Sequence, residues 1–302
     1  MGVVIRSVGV SRPGRLVGHG ARRLADAAAR SCLSDADVGP DDVDLLVNAG
    51  VYRERGLGEP ALAALIQEDV EANVGHPDRH AHGTFSFDID NAACGVLTAV
   101  HIARSFLLSG AIRRALVVTS DSGPGPRHAR WMPYDEGGGA VLLERDDGVE
   151  GFTDLRFATF PEYAALMQGY WTWEPRSGRR PGGPPGRNRL VVEEHDGFRA
   201  RAAECAIETA GKMFADAGVT ADEIDLLVAT PEAGFGDAVA VGLGVTETRV
   251  MHLGEQTNRL HTAQPVAAVA AAMRTGRWEE AGTVLFVSAG AGITIACALY
   301  RR

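Results

Sequence analysis

The chain has 302 residues, 45% of them hydrophobic and 23% charged, with a formal net charge of -9. That composition suits one large globular core or two smaller ones, and the acidic balance disfavours nucleic acid, whose phosphates need a basic face. No apolar run approaches bilayer length and residues 1–16 carry no signal-peptide pattern, so the expectation is a cytoplasmic protein with no membrane partner. Four cysteines, Cys32, Cys94, Cys205 and Cys297, fit neither a zinc pattern nor a CxxC pair. Three of them, Cys32, Cys205 and Cys297, read as buried small hydrophobes, and no metal is expected.

In chain order, residues 27–50 (AAARSCLSDADVGPDDVDLLVNAG) predict an amphipathic helix, an acidic loop and a buried strand. His76, His80 and His82 then fall in an Asp/Gly/Pro loop whose spacing suggests a solvated segment and no closed metal site. Residues 85–90 predict a strand, 91–94 a turn, and 95–109 an apolar helix that stops at a C-terminal glycine, Gly110. Cys94 therefore opens a helix, where unpaired amides and the helix dipole favour a thiolate, the nucleophile a thioester exchange needs. A structural cysteine at a helix start is the bland alternative. A β-branched strand runs to Asp121, and residues 137–145 predict another before a break near 147–151.

The second part begins with Trp171 and Trp173, which suit either an acyl tunnel or ordinary packing, and a Pro/Gly/Arg-rich stretch, 174–189, that reads as a surface loop. His195 and Asp196 precede a helix. Residues 209–232 (TAGKMFADAGVTADEIDLLVATPE) then repeat 27–50 at constant spacing: Asp35 matches Asp216, Val38 matches Val219, Asp41 matches Asp222, and Asp44-Leu-Leu-Val matches Asp225-Leu-Leu-Val. Likewise 275–290 parallels 109–121, with Gly276 for Gly110, and 290–302 parallels 137–145. Matched segments in the same order mean an internal duplication. The expectation is an α/β protein of two similar halves, 1–150 and 151–302, alternating strands and helices in mostly parallel sheets.

A duplicated α/β unit of this kind looks like the thiolase fold, with halves related by a pseudo-twofold axis and the site between them. The run Asp88-Ile-Asp-Asn-Ala-Ala-Cys-Gly resembles the nucleophile motif of the ketoacyl-ACP synthase III family, with Cys94 at the acylated cysteine. Tyr134-Asp-Glu-Gly-Gly-Gly-Ala-Val-Leu-Leu-Glu is similar to the family's glycine-rich strand, and Ser288-Ala-Gly-Ala-Gly-Ile-Thr to its C-terminal glycine turn. By that resemblance the amides of Cys94 and Ala291 form an oxyanion hole. The family's usual His and Asn are missing: Thr230 falls at the His position and, counting back from Gly276, Arg259 at the Asn position, so both are expected to line the site. Neither does base chemistry near neutral pH. The run His261-Thr-Ala-Gln-Pro resembles one in ketosynthase III-like acyltransferases. His261 reads as either the base or a first-turn histidine with a structural hydrogen bond. His195 and Arg199 sit at the edge that, in the family, meets the pantetheine arm and carrier protein. Glu232 is read as a site carboxylate or a surface charge. The short link at 11–19 replaces a longer family connection that helps hold the adenine end of CoA.

The function expected from the resemblance is an acyltransferase of specialised metabolism that moves an acyl group from a carrier-protein or CoA thioester through Cys94 to an acceptor. A partner subunit without chemistry of its own and a condensing synthase with a rearranged base remain as alternatives. The expected partners are acyl carrier protein or acyl-CoA and a second copy of the chain, docked through the sheet edge of the first half, with 51–71 resembling the family's cross-dimer loop and helix. No cofactor beyond the thioester is expected.

Overall fold

The computed structural model describes residues 2–53, 59–74, 83–123, 134–175, 186–231, 234–255 and 257–302. His76, His80, His82 and Glu232 lie outside these residues. The first half runs β1 (Gly2–Ser11), α1 (Ala21–Asp35), β2 (Leu45–Asn48), α2 (Leu62–Val70), β3 (Phe85–Asp88), α3 (Gly95–Leu108), β4 (Arg114–Asp121) and β5 (Gly137–Asp146). The second runs β6 (Gly151–Thr159), β7 (Met167–Pro175), β8 (Gly186–Glu194), α4 (Phe198–Ala217), β9 (Leu226–Thr230), α5 (Phe235–Leu243), α6 (Gln264–Arg274), α7 (Arg277–Glu280), β10 (Thr283–Gly290) and β11 (Thr294–Arg301).

Each half supplies one sheet, ordered β1-β5-β4-β2-β3 and β6-β11-β10-β9. Pairing is parallel for β2 with β3, β2 with β4, and β9 with β10. It is antiparallel for β1–β5, β4–β5, β6–β11 and β10–β11. The expectation of mostly parallel sheets therefore narrows to mixed sheets. Residues 291–293 alone join β10 to β11, too few for the crossover a parallel pair needs.

Side-chain alternation along the central strands sorts the core into layers. Leu45 and Val47 of β2, and Ala115 and Val117 of β4, face a central layer that also holds Val96, Val100 and Ala103 of α3 and Val266, Val269 and Ala272 of α6. From the other sheet, Leu226, Val228, Val284 and Phe286 close that layer. The alternate residues Leu46, Leu116 and Val118 pack beneath α1 and α2, while Leu227, Leu285 and Val287 pack beneath α4 and α5. Helices α3 and α6 are thus buried between two sheets, and each sheet carries a further helical layer outside.

The duplicated Asp-Leu-Leu-Val has a structural reason. Asp44 Oδ2 accepts hydrogen bonds from the amides of Arg113 (2.7 Å) and Arg114 (3.0 Å). In the other half Asp225 Oδ2 accepts from Gly282 and Thr283, both at 2.9 Å. One carboxylate in each half thereby fixes the entry of the strand that follows the central helix.

The stretch 174–189 differs from the loop expected of it. Both ends are paired in the β7–β8 hairpin, with Pro175 opposite Gly186 and Met167 opposite Glu194. Residues 176–185, which hold most of its Pro and Gly, lie outside the described residues, while the flanking residues are strand.

Candidate active site

Cys94 ends a short 3-10 turn, Ala92–Cys94, that leads directly into α3. Asn91 Nδ2 donates to Thr98 Oγ1 (2.9 Å), and Thr98 Oγ1 donates to the Cys94 carbonyl (2.9 Å), which ties the turn to the first helical turn. Gly95 is required by closeness: a Cβ there would stand 3.0 Å from the Ala49 carbonyl oxygen and 3.2 Å from Ala49 Cβ. The same holds opposite, where a Cβ on Gly290 would stand 3.3 Å from Ala92 Cβ. The end of β10 is therefore pressed against the cysteine turn, and the two halves meet at Cys94.

The thiol itself is fully buried. Its Sγ donates to the carbonyls of Ser288 (3.4 Å) and Thr294 (3.3 Å). Burial pushes it up to about 12, against the opposing pull of the Ala296 and Gly290 backbone. Burial thus works against the thiolate expected at the helix N-terminus, because desolvation penalises the charged form at this depth. The Cys94 amide, expected in the oxyanion hole, donates instead to the Asn91 carbonyl at 2.9 Å. The tight 3-10 turn makes that bond. Ala291 lies at the β10–β11 turn, half-buried beside Gly290.

A pocket of about 30 Å³ opens beside the turn, lined by Ala93 and Tyr134 of the first half and by Glu194, Arg199, Thr230, His261, Gln264 and Gly290 of the second. This volume has room for a water or two. Thr230 is buried at the end of β9, and its hydroxyl has no hydrogen-bond partner. Arg199 pairs with Glu194 at 2.7 Å. His195 is exposed, and its backbone binds Leu166 and Phe198 rather than the pocket. Arg259 does not line the pocket. It is 55% exposed and lies 3.8 Å from Asp135 Oδ2. Counting back from Gly276 placed it wrongly, because the chain enters α6 through residues 261–263 and brings His261 inward instead.

His261 is 4% exposed. Its ring stacks on Tyr134 (centroids 4.2 Å apart, planes at 23°) and tilts against Tyr52 (5.2 Å, 30°). Its Nδ1 lies 3.4 Å from Asp121 Oδ2, within ion-pair distance but without the alignment of a hydrogen bond. Burial opposes a charge on Asp121, yet His261 beside it, Thr262 and the Tyr52 amide hold its carboxyl below the usual range. Burial also drives the phenols of Tyr52 and Tyr134 above their ordinary values, so both stay neutral. Asp121 and Tyr52 carried no signal of their own in the sequence, and Tyr134 stood out only as the first residue of the glycine-rich run. The one available clue was a charged residue closing the apolar run Ala115–Val118. Among the described residues no group of His, Cys, Asp and Glu side chains is arranged to hold a metal, and no helix is long and apolar enough to cross a membrane.

The layered, duplicated fold and a cysteine turn at the seam of its halves define a thiolase-like protein. Solved structures share that fold over the whole chain. The 3-oxoacyl-acyl-carrier-protein synthase III of Aquifex aeolicus matches with a TM-score of 0.77 at 19% identity, covering 100% of both chains. Xanthomonas campestris OleA, solved with lauric acid and lauroyl-CoA, matches at 0.78 and 17%, covering 100% of this chain and 99% of that one. Residues 87–159 match the family model described as 3-oxoacyl-acyl-carrier-protein synthase III, and residues 214–302 match its C-terminal counterpart. The beta-ketoacyl-acyl-carrier-protein synthase III of Sphingopyxis alaskensis is 28% identical, over 92% of this chain and 83% of that protein. The protein of the same name from Bradyrhizobium diazoefficiens is 27% identical over 98% and 87%. The chain belongs to the ketoacyl-ACP synthase III-like proteins, a group of condensing and acyl-transferring enzymes.

Proposed function

We propose that the protein is an acyltransferase of specialised metabolism, working through a Cys94 thioester. The observation that carries the reading is the convergence of His261 and the Cys94 turn on one pocket, while the family's His position holds Thr230. In the loading step His261 takes the Cys94 proton. The thiolate attacks the carbonyl carbon of an acyl thioester, and the departing carrier or CoA thiolate recovers a proton. In the transfer step an acceptor hydroxyl or amine gives its proton to His261 and attacks the acyl-enzyme, which restores the Cys94 thiol. The Ala291 amide is the proposed oxyanion donor. The Cys94 amide joins it only on leaving Asn91. The donor is acyl carrier protein or acyl-CoA, in keeping with the carrier-protein synthases and the lauroyl-CoA-bound OleA that the chain resembles. We assign contact with its arm to Arg199 in the pocket lining and to His195 at the adjoining turn. No further cofactor is required by these steps.

A second reading, a partner subunit without chemistry, draws support from the complete burial of Cys94. Intact-mass analysis after incubation with short acyl thioesters separates the two. An acyl adduct is expected on the wild type and none on Cys94→Ala, with an unchanged circular dichroism spectrum. No adduct on the wild type, with carrier or CoA donors, sinks the acyltransferase. Release of carbon dioxide from a malonyl thioester at the rate of condensing relatives would instead favour carbon–carbon bond formation.

A further inference from the structure

We infer that Asp121 is the positioning residue for His261, fixing the imidazole with its proton on Nδ1 so that Nε2 is the basic nitrogen presented to the pocket. The inference deepens the acyl-transfer reading and rests on it for its chemical purpose, but its geometry stands independently.

Asp121 is held from several directions. Its Oδ1 accepts from the amides of Val51 (3.1 Å) and Tyr52 (2.8 Å). Its Oδ2 accepts from the Thr262 amide (2.9 Å) and hydroxyl (2.6 Å). The Thr262 hydroxyl is also bonded to Thr119 Oγ1. A carboxylate with this many donors has no freedom to turn, and both it and the His261 side chain are only 3% exposed. The same Oδ2 faces His261 Nδ1 at 3.4 Å.

A neutral imidazole carries one N–H, and its position follows the acceptor nearby. With a buried anionic oxygen beside Nδ1, the proton on Nδ1 meets an acceptor. The other tautomer would set a nitrogen lone pair against a carboxylate. Tyr134 stacked on one face and Tyr52 on an adjacent flank, the two phenol rings 6.2 Å apart, restrict the ring. An otherwise orphaned Nδ1 in an apolar clamp is costly. Asp121 Oδ2 at 3.4 Å is the acceptor within reach of Nδ1, one small turn of the ring short of a hydrogen bond, and its charge stabilises the imidazolium that forms when Nε2 takes a proton, as the carboxylate does in hydrolytic triads.

The competing account is that Asp121 only anchors residues 51–52 and 262. Selectively 15N-labelled histidine separates the two, with the His261 signal identified by its loss in His261→Gln. The wild-type ring is expected as the Nδ1–H tautomer, and Asp121→Asn, which offers an amide donor toward Nδ1, is expected to lose it. A wild-type Nε2–H tautomer, or one unchanged in Asp121→Asn, overturns the inference. This readout does not depend on acyl transfer, whose failure shows separately as a missing Cys94 adduct. In kinetics, Asp121→Asn is expected to lower kcat by more than about tenfold with KM for the donor little changed. It should cost nothing further in a His261→Ala background, where losses that simply multiply would identify an anchor.

Discussion

At the scale of single residues, the burial of Cys94 decides how the site must work. A thiol pushed up to about 12 is protonated at neutral pH, so loading depends on a base. His261→Ala is expected to slow both loading and transfer by ~10²-fold, the low end for a lost general base. In that variant the loading rate should climb about tenfold per pH unit between pH 7 and 10, following the thiolate fraction. Stopped-flow loading assays check this, and a flat profile would mean that the thiolate is already formed. Cys94 and His261 were legible because each stands in a short local run. Asp121, Tyr52 and Tyr134 were not, because their meaning arises only where chain segments distant in sequence close around the imidazole. Arg259 was misplaced by assuming a constant distance from Gly276, which a change in how the chain enters a helix does not respect.

Among secondary-structure elements, the repeated helix–loop–strand unit was legible because one matched acidic pair, Asp44 and Asp225, serves the same backbone groups in both halves. Asp44 is buried and Asp225 exposed, although each accepts two strand amides. Asp44→Ala is therefore expected to cost about 1–3 kcal/mol in urea unfolding, and Asp225→Ala less, since water replaces the acceptor there. The α1–α2 contact makes a second case. Burial, followed by the neighbouring Asp69 carboxylate, pushes the Asp26 carboxyl up to about 8, while the bidentate Arg22 partner draws Asp69 below its ordinary range. The folded chain keeps on Asp26 a proton that the unfolded chain releases near pH 4, so this contribution is full below about pH 4 and lost as pH rises towards 8. Asp69 acts oppositely, its contribution being lost on acidification. Asp26→Asn keeps the neutral shape and should gain on the wild type progressively from pH 5 to pH 8, as read from urea midpoints. A constant difference across that range would remove the shared-proton account. The β7–β8 pairing was missed because the Pro, Gly and Arg content of 174–189 outweighed the strand-forming residues on either side in the reading of the sequence.

For the molecule as a whole, the open edge of the first sheet sets the association expected. Strand β3 ends that sheet, and its Phe85 is 59% exposed beside Phe87, the two rings 5.3 Å apart. An edge strand with exposed aromatics invites pairing with another chain, and we take the partner to be a second copy. Light scattering at micromolar concentration should give twice the chain mass, and Phe85→Asp should halve it. A monomeric wild type refutes the assignment. The two-half organisation was legible at this scale, since duplication leaves its mark along the chain. The mixed strand directions were not, because direction depends on which strands become neighbours in space.

The seam between the halves has a further implication. Cys94 belongs to one half and His261 to the other, and the pocket beside them is walled mostly by the second half, with Ala93 and Tyr134 from the first. A polypeptide severed at residues 147–150, between β5 and β6, would yield fragments that hold either the thiol or the imidazole, never both. Whatever the site accomplishes would then vanish on dilution and return with the product of the two fragment concentrations, which makes this architecture a natural coincidence detector.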